Sequence, residues 1–526
     1  MDKRLLLALI LSMGVLFLYP YAMKRFFPAA MNASKTAPKA EGEAGKGVAA
    51  PSVPGEKPAT GGPAPSMKEE LVKVETPLYS AVFSTTGGGV KSWVLKKYSE
   101  TLKEKDGGVN IADTISRDGS YRTEVLANGV LEEISFTPSS AALNIDKAGA
   151  SELVFKGTTS AGLNVEKSYR FTGSSYMVNV ELKISNPTKA PFAGSVQTPL
   201  SASVAGKDPT GYHMGPLAYH AKDKLARPTV KEPSLSGGEP KWIGLESKYF
   251  LAAILVKPAS GFTWSTEVKS ASSSSARLEM PLNLSPGAQV VYGYNEFRGP
   301  KEYDLLIAQK AGLEESIEFG YFGFFAKPLL VVLNFFERYV HNYGLAIVLL
   351  TVIIKVIFYP LTKYSLKSMK DMQRMQPQLA ALKEKYKDNK EKLNKEMMEL
   401  YKRQKINPLS GCLPMILQIP VFIALYEVLY VAIELRHAPL FLWIQDLSAK
   451  DPYYITPLIM GATMFVQQRM TPTSADPAQA RIMMFMPLIF TFMFLKFPSG
   501  LVVYWLVNNA LTIAQQYYIN RMPAKA

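Results

Sequence analysis

The amino-acid sequence predicts a multi-domain membrane protein, in which an α-helical polytopic core of six transmembrane helices is joined to an exterior all-β domain. Three observations predict it. Apolar residues make up 48% of the 526-residue chain, and they gather into long blocks after residue 328. Between about 68 and 310 they alternate with polar residues in short segments closed by Gly, Pro, Asn and Ser. The formal net charge of +15 is concentrated beside the apolar blocks, as membrane topology places it, so no DNA partner is expected.

In chain order, Lys3 and Arg4 precede an apolar run over 5–23 that Lys24 and Arg25 follow. The run is longer than the apolar region of a cleavable signal, so residues 1–27 read as an uncleaved anchor; small residues at 30–33 keep cleavage as the alternative. Residues 28–67 are mostly Ala, Pro, Gly, Lys and Glu, a composition that cannot bury enough apolar surface to fold, and read as a disordered linker. The all-β domain is assigned to 68–312. In YMVNVELKI, Tyr176, Val178, Val180, Leu182 and Ile184 share one face of a strand while Asn179, Glu181 and Lys183 share the other. KYFLAAILVKP, FTWSTEV, ARLEMPLNL and AQVVYGYNEF repeat the strand signal at sandwich-like spacing. His213 and His220, near Asp208 and Asp223, lack a metal-ligand spacing and read as a solvated loop. The single cysteine, Cys412, leaves the domain no disulfide, so a packed core must hold it.

From 313 to 338 the pattern is helical and aromatic, with Phe319, Tyr321, Phe322, Phe324, Phe325, Phe335 and Phe336, and fits an amphipathic interfacial helix that Pro328 divides. The apolar run YGLAIVLLTVIIKVIFYPLTK gives a transmembrane helix over 339–360, closed by Pro360 and interrupted once, by Lys355. A lysine there costs roughly 2.5–3.5 kcal/mol on insertion scales, and Thr351 lies one turn away on the same face. Residues 361–410 carry 13 Lys and Arg against 6 Asp and Glu, with Met372, Met375, Leu379, Leu382 and Tyr386 and then Leu393, Met397, Leu400 and Tyr401 at helical spacing around a break at 387–390. They read as a basic cytoplasmic hairpin of two helices with a methionine face suited to clients, or simply as two helices that cover each other. Four more spans follow, at 411–433, 453–470, 482–497 and 501–519, before a short tail at 520–526.

Placing the 13-cation hairpin in the cytoplasm orients every span: Arg469, Arg481, Arg521 and Lys525 fall on that side, and Arg436, Lys450 and Lys496 on the other. Both termini are then cytoplasmic and the β domain exterior. At about 1.5 Å per residue, Lys355 lies roughly 7 Å above the cytoplasmic helix end, Thr351 about 13 Å and Gln418 about 10 Å. Thr463, Thr491, Gln515 and Gln516 share that half and Asn508 and Asn509 lie near the middle, whereas the exterior halves YGLAIVLL, ITPLIMGA and LVVYWLV are almost wholly apolar. A pore would need polar lining in both halves, so the expected feature is a wet groove open to the cytoplasm and closed outside. The candidate groove set is Lys355, Thr351, Gln418, Asn508, Gln515, Tyr504 and Trp505, and the candidate client-handling set is Met372, Met375, Met397 and Met398. Glu427, about 17 Å from Lys355 in depth, is too far to pair with it. A lysine so near the helix end could instead snorkel to the interface. No nucleotide-binding loop, catalytic triad or metal cluster is present in the motifs, so no cofactor and no enzymatic activity are expected. A solute or ion transporter built on Lys355 is the alternative; it calls for inverted repeats, which the sequence lacks. A carbohydrate-processing β domain would need a paired-carboxylate cleft.

The stretches KVIFYPLTK at Lys355, NPLSGCLPMILQIPVFIALY at Asn407, LFLWIQDLSAKDPYYITPLIMG at Leu440 and FPSGLVVYWLVNN at Phe497 resemble, in order and spacing, the YidC/Oxa/Alb family of membrane insertases, in its Gram-negative form. The resemblance implies a β-supersandwich periplasmic domain, a five-helix core and the bacterial inner membrane. It further implies insertion and folding of nascent membrane proteins, alone or with the Sec translocon. Most relatives carry arginine where this chain has Lys355, which replaces a planar fork by a point charge. The chain also runs only a few residues past Arg521, so contact with ribosomes or the signal recognition pathway is expected through the basic hairpin and the 471–480 loop.

Overall fold

A computed structural model describes residues 69–521 except 103–106, 116–119, 203–205, 208–211, 221–223, 230–231, 258–260, 271–272, 388, 405–412 and 471–476. The expected anchor and linker, Asp208, Asp223, Cys412, residues 471–476 and the end of the tail lie outside the described residues.

The alternating segments form an all-β domain of three sheets. The largest runs, in spatial order, through His213–His220, Pro240–Glu246, Phe250–Val256, Gln289–Pro300, Met177–Ser185, Asn164–Thr172, Ala150–Thr158 and Phe136–Pro138, antiparallel throughout. A six-stranded sheet built on Phe192–Ala202 and Ser273–Leu284 packs against it, and a five-stranded sheet around Tyr79–Ser84 covers another part of its face. Tyr176, Val178, Val180, Leu182 and Ile184 are all buried, as their period of two requires, and Phe250–Val256 is buried on both faces. Within this core lies an ionic cluster: Lys167, Glu296 and Arg298 are buried, Glu296 pairs with Arg298, and the Arg298 guanidinium stacks 3.7 Å over Tyr121. Lys167 Nζ donates to the Tyr121 carbonyl at 2.5 Å.

Among the described residues eight helices of ten or more residues follow: α1 (Gly323–Val340), α2 (Tyr343–Arg374), α3 (Gln376–Lys385), α4 (Lys390–Arg403), α5 (Leu413–Val431), α6 (Ile455–Met470), α7 (Pro477–Phe494) and α8 (Ser499–Arg521). α1 buries Ala326, Leu330 and Leu333 and turns Phe324, Phe335 and Tyr339 outward, with exposed Tyr321 just before it, an aromatic face suited to headgroup depth. Neither proline expected to break a helix does so. Pro328 sits inside α1 between buried Ala326 and Leu330, and α2 runs through Pro360 with Thr362 and Ser365 buried beyond it, so packing on both sides outweighs the roughly 3 kcal/mol of a lost hydrogen bond and ring clash. The basic hairpin therefore begins as a continuation of α2. Asn342 caps α2 by accepting from the Leu345 amide, and Asn389 caps α4 by accepting from Lys392. α6 and α7 approach closely at Gly461, where a Cβ would stand 2.1 Å from Thr491 Oγ1. Among the described residues one helix, α2, is long and apolar enough to cross a bilayer by length and composition; Gln418–Val431 and Met484–Phe494 are shorter apolar runs.

The buried cluster gives the β domain a pH dependence. Burial, aided by Arg298 and opposed by Glu296, pushes the Lys167 ammonium from its ordinary value of 10.5 down to about 7. Between those values the unfolded chain holds a proton that the folded domain does not, so this lysine makes stability rise with pH from about 7 upward and contributes no slope below. Calorimetry of the purified chain is expected to show the β-domain melting midpoint rising between pH 7 and 9.5. Lys167→Met should remove that part of the rise; an unchanged slope in the variant would place a charged lysine in the folded core.

Candidate functional site

Five polar residues of the membrane core meet along one face of α8. Tyr504, Asn508 and Thr512 recur every four residues, so they stack along the helix, spanning about 12 Å of rise. Gln418 on α5 reaches this face, its Nε2 donating to Asn508 Oδ1 at 2.8 Å and to the Tyr504 hydroxyl at 3.3 Å. Lys355 on α2 meets it from the other side, donating from Nζ to Thr512 Oγ1 at 2.7 Å, while the Thr512 hydroxyl donates to the Asn508 carbonyl at 2.7 Å. The result is a connected track: Lys355, Thr512, Asn508, Gln418, Tyr504. Lys355 is half-buried, and among the described residues no acidic side chain pairs with it.

The remaining expected groove residues separate from this track. Thr351 is fully buried and its hydroxyl donates to Ile347 O one turn back, so it supplies no hydrogen bond to the recess. Sharing a helical face with Lys355 was not enough, because that face is covered at the depth of Thr351. Trp505 belongs to an aromatic cluster, with ring centroids 4.9 Å from Phe422 and 5.2 Å from Phe494. Gln515 has a buried, unpartnered Oε1, while its neighbour Gln516 donates to the Met470 carbonyl at 2.7 Å and Asn509 donates to Thr463. Thr512 was missed in the sequence, although its place four residues after Asn508 was the available signal. On the hairpin, Met375 is buried with Leu379, Met372 and Met397 are half-buried, and Met398 is exposed.

A second polar cluster joins the β domain to the exterior end of α5. The Tyr212 hydroxyl donates to Glu427 Oε2 at 3.0 Å, which accounts for an acid that Lys355 cannot reach. Tyr212 also stacks on Tyr430 with centroids 5.4 Å apart, and Lys248 Nζ sits 3.8 Å above the Tyr430 ring. Gly320, at φ +60°, passes so close that a Cβ would lie 2.6 Å from Glu427 Oε1. Behind this contact Glu246 is fully buried between Lys301 (2.6 Å), Arg227 (2.7 Å) and His213 Nδ1 (2.8 Å). Burial alone would raise its pKa, but Lys301 and Arg227 hold it well below the carboxylate range. His213 is thus a strand residue inside an ion cluster, and His220 stacks on Trp264, so neither lies in a solvated loop. Lys301 and Arg227 also donate to the Ser316 carbonyl, fixing the segment that leads into α1.

Residues 71–332 match the YidC periplasmic domain family and residues 335–526 match the 60Kd inner membrane protein family. The chain is 42% identical over 99% of its length to the membrane protein insertase YidC of Syntrophus aciditrophicus (strain SB), covering all of that protein. It is 46% identical over 85% of its length to the YidC of Geobacter sulfurreducens, covering 85% of that protein, and 43% identical over its full length to that of Geobacter metallireducens, covering 99%. The two family matches meet inside α1, so the Tyr212–Glu427 contact crosses from one matched region to the other.

That contact is testable. Tyr212→Phe removes the donor from a half-buried carboxylate and is expected to lower the unfolding midpoint of the whole chain in detergent by the equivalent of about 1–2 kcal/mol. Glu427→Leu removes the acceptor and should make the same tyrosine substitution nearly silent, and additive effects of the two substitutions would show that the pair does not interact.

Proposed function

This chain belongs to the YidC family of membrane protein insertases, and we propose that it moves short polar segments of its clients across the inner membrane by way of the Lys355–Thr512–Asn508–Gln418–Tyr504 track. It is an inner membrane protein with a periplasmic β domain, and its work on clients requires no covalent step. The observation that carries the proposal is the ammonium of Lys355, held by hydrogen bond at a depth where lipid would otherwise surround it. A client segment carrying an acidic residue meets there a cation and a ladder of amide and hydroxyl groups instead of hydrocarbon. Attraction between Lys355 and the acid is strong where water is scarce, and the apolar outer faces of α2 and α7, with Val356, Ile357, Phe485 and Phe492 exposed, let the client's own apolar helix pass into lipid.

The orientation that supports this reading has six spans with both termini cytoplasmic, set by the 13 cations of the hairpin. Clients would arrive at the hairpin as nascent membrane proteins, from the Sec translocon or directly from ribosomes and the signal recognition pathway, whose contacts would fall on the hairpin and on residues 471–480. Met398, exposed on α4, is the methionine best placed to touch them, and lipid would contact the aromatic face of α1.

Two outcomes are expected. In a protease-protection assay with paired clients, Lys355→Arg should retain insertion, Lys355→Ala should reduce insertion of a client with an acidic translocated segment by about tenfold or more, as loss of a charged hydrogen bond implies, and Lys355→Glu should reduce it most. Equal treatment of acidic and neutral clients by all three variants would leave Lys355 as a topology residue. A photocrosslinker at Met398 should capture nascent chains far more efficiently than one at the buried Met375; capture of α3 alone from both positions would assign the methionines to packing.

A further inference from the structure

We propose that Thr512 is the positioning residue of the groove: it holds the Lys355 ammonium in the recess and fixes it as a donor toward acidic client segments. The inference rests on the proposed function and names a residue that the candidate groove set lacked.

Lysine carries three N–H donors on a flexible four-carbon stem. Roughly 7 Å above the cytoplasmic end of its span, it has two accessible arrangements: the ammonium swings down to water, or it stays in the recess and finds an acceptor there. Among the described residues the acceptor found is Thr512 Oγ1, at 2.7 Å. This hydroxyl is itself committed. Its proton goes to the Asn508 carbonyl, also at 2.7 Å, so toward Lys355 it presents only lone pairs. Thr512 can therefore anchor a cation but has no proton left to offer a client carboxylate.

Next along the track Asn508 Oδ1 is occupied as well, as an acceptor from Gln418 Nε2. Donation thus converges on Asn508 from both sides, from Thr512 to its carbonyl and from Gln418 to its Oδ1, and the Lys355 ammonium keeps two further N–H groups. Half-buried at this point, those donors suit a carboxylate or a peptide carbonyl entering from the cytoplasmic side. Serine would keep the acceptor. Valine keeps the shape and removes it, leaving Lys355 charged but free to swing away.

The test compares insertion of an acidic-segment client and its neutral counterpart by membrane vesicles containing full-length protein at matched levels, reading the ratio of the two. Thr512→Val is expected to lower the acidic-to-neutral ratio about threefold or more, Thr512→Ser to restore it, and Thr512→Val in a Lys355→Ala background to add nothing to the loss caused by Lys355→Ala alone. A selective loss in Lys355→Ala with an unchanged ratio in Thr512→Val would overturn the positioning role while leaving the proposed function standing. Equal losses for both clients, absence of rescue by serine, or additive losses in the double variant would show Thr512 to be a packing residue and overturn it as well. An unchanged ratio in Lys355→Ala would remove the electrostatic reading itself and this proposal with it.

Discussion

An ammonium group inside an apolar helix is retained only where something other than lipid reaches it, and that requirement explains how the membrane core is put together. α8 packs against α2, Thr512 meeting Lys355 at one end of a ladder that continues through Asn508 to Tyr504, and α5 contributes Gln418 to the same ladder. Each polar side chain on the track satisfies another, which removes most of the penalty that a buried polar group would carry alone. The apolar side chains are sorted by the same rule. Trp505, one residue from Tyr504, turns into a cluster with Phe422, Phe490 and Phe494, so one face of α8 is packed with rings while another is wired with hydrogen bonds.

The exterior face obeys the same constraint with the opposite sign of charge. Glu427 lies near the outer end of α5, where it needs a donor, and the β domain supplies one from Tyr212. Glu434, just beyond the same helix, accepts from the Tyr303 amide, and Arg436 donates to the Glu100 carbonyl. The Glu246 cluster then fixes the 313–318 segment through the Ser316 carbonyl, so the entry angle of α1 is set by ion pairs in the β domain. The periplasmic domain is therefore seated on the core through groups that would otherwise be unsatisfied at the membrane surface.

Much of this was legible in the sequence because it depends on periodicity and on single unusual residues. The alternation of Val178, Val180, Leu182 and Ile184 needs only a two-sided strand, and Lys355 stands out by its charge alone. The discounted Glu427–Lys355 pair follows from counting residues along helices. What the sequence concealed depends on which faces meet. Thr512 looks like any helical threonine until α2 is placed opposite it, and Thr351 looks like a groove residue until its hydroxyl turns back to Ile347. Pro328 and Pro360 carry a strong local signal against helix, which tertiary packing on both sides overrides. His213 gave no ligand spacing because its partner, Glu246, lies on a neighbouring strand 33 residues away.

The magnitudes decide what such a groove must do. A client helix of about 20 apolar residues gains roughly 0.3–0.6 kcal/mol per residue on entering the bilayer, some 6–12 kcal/mol in all, against roughly 2.5–3.5 kcal/mol for one charged residue near its centre. The overall transfer is downhill without help, so the obstacle is the passage of the polar segment and not the final state. A group that bound that segment tightly would trap it. One lysine offering charge-assisted hydrogen bonds of about 1.5–3 kcal/mol lowers the barrier by an amount comparable to the penalty and still lets the segment leave. In the role proposed for it, an ammonium anchored on Thr512 acts on a passing carboxylate without following it, because the hydrogen bond holds the end of the four-carbon stem in place.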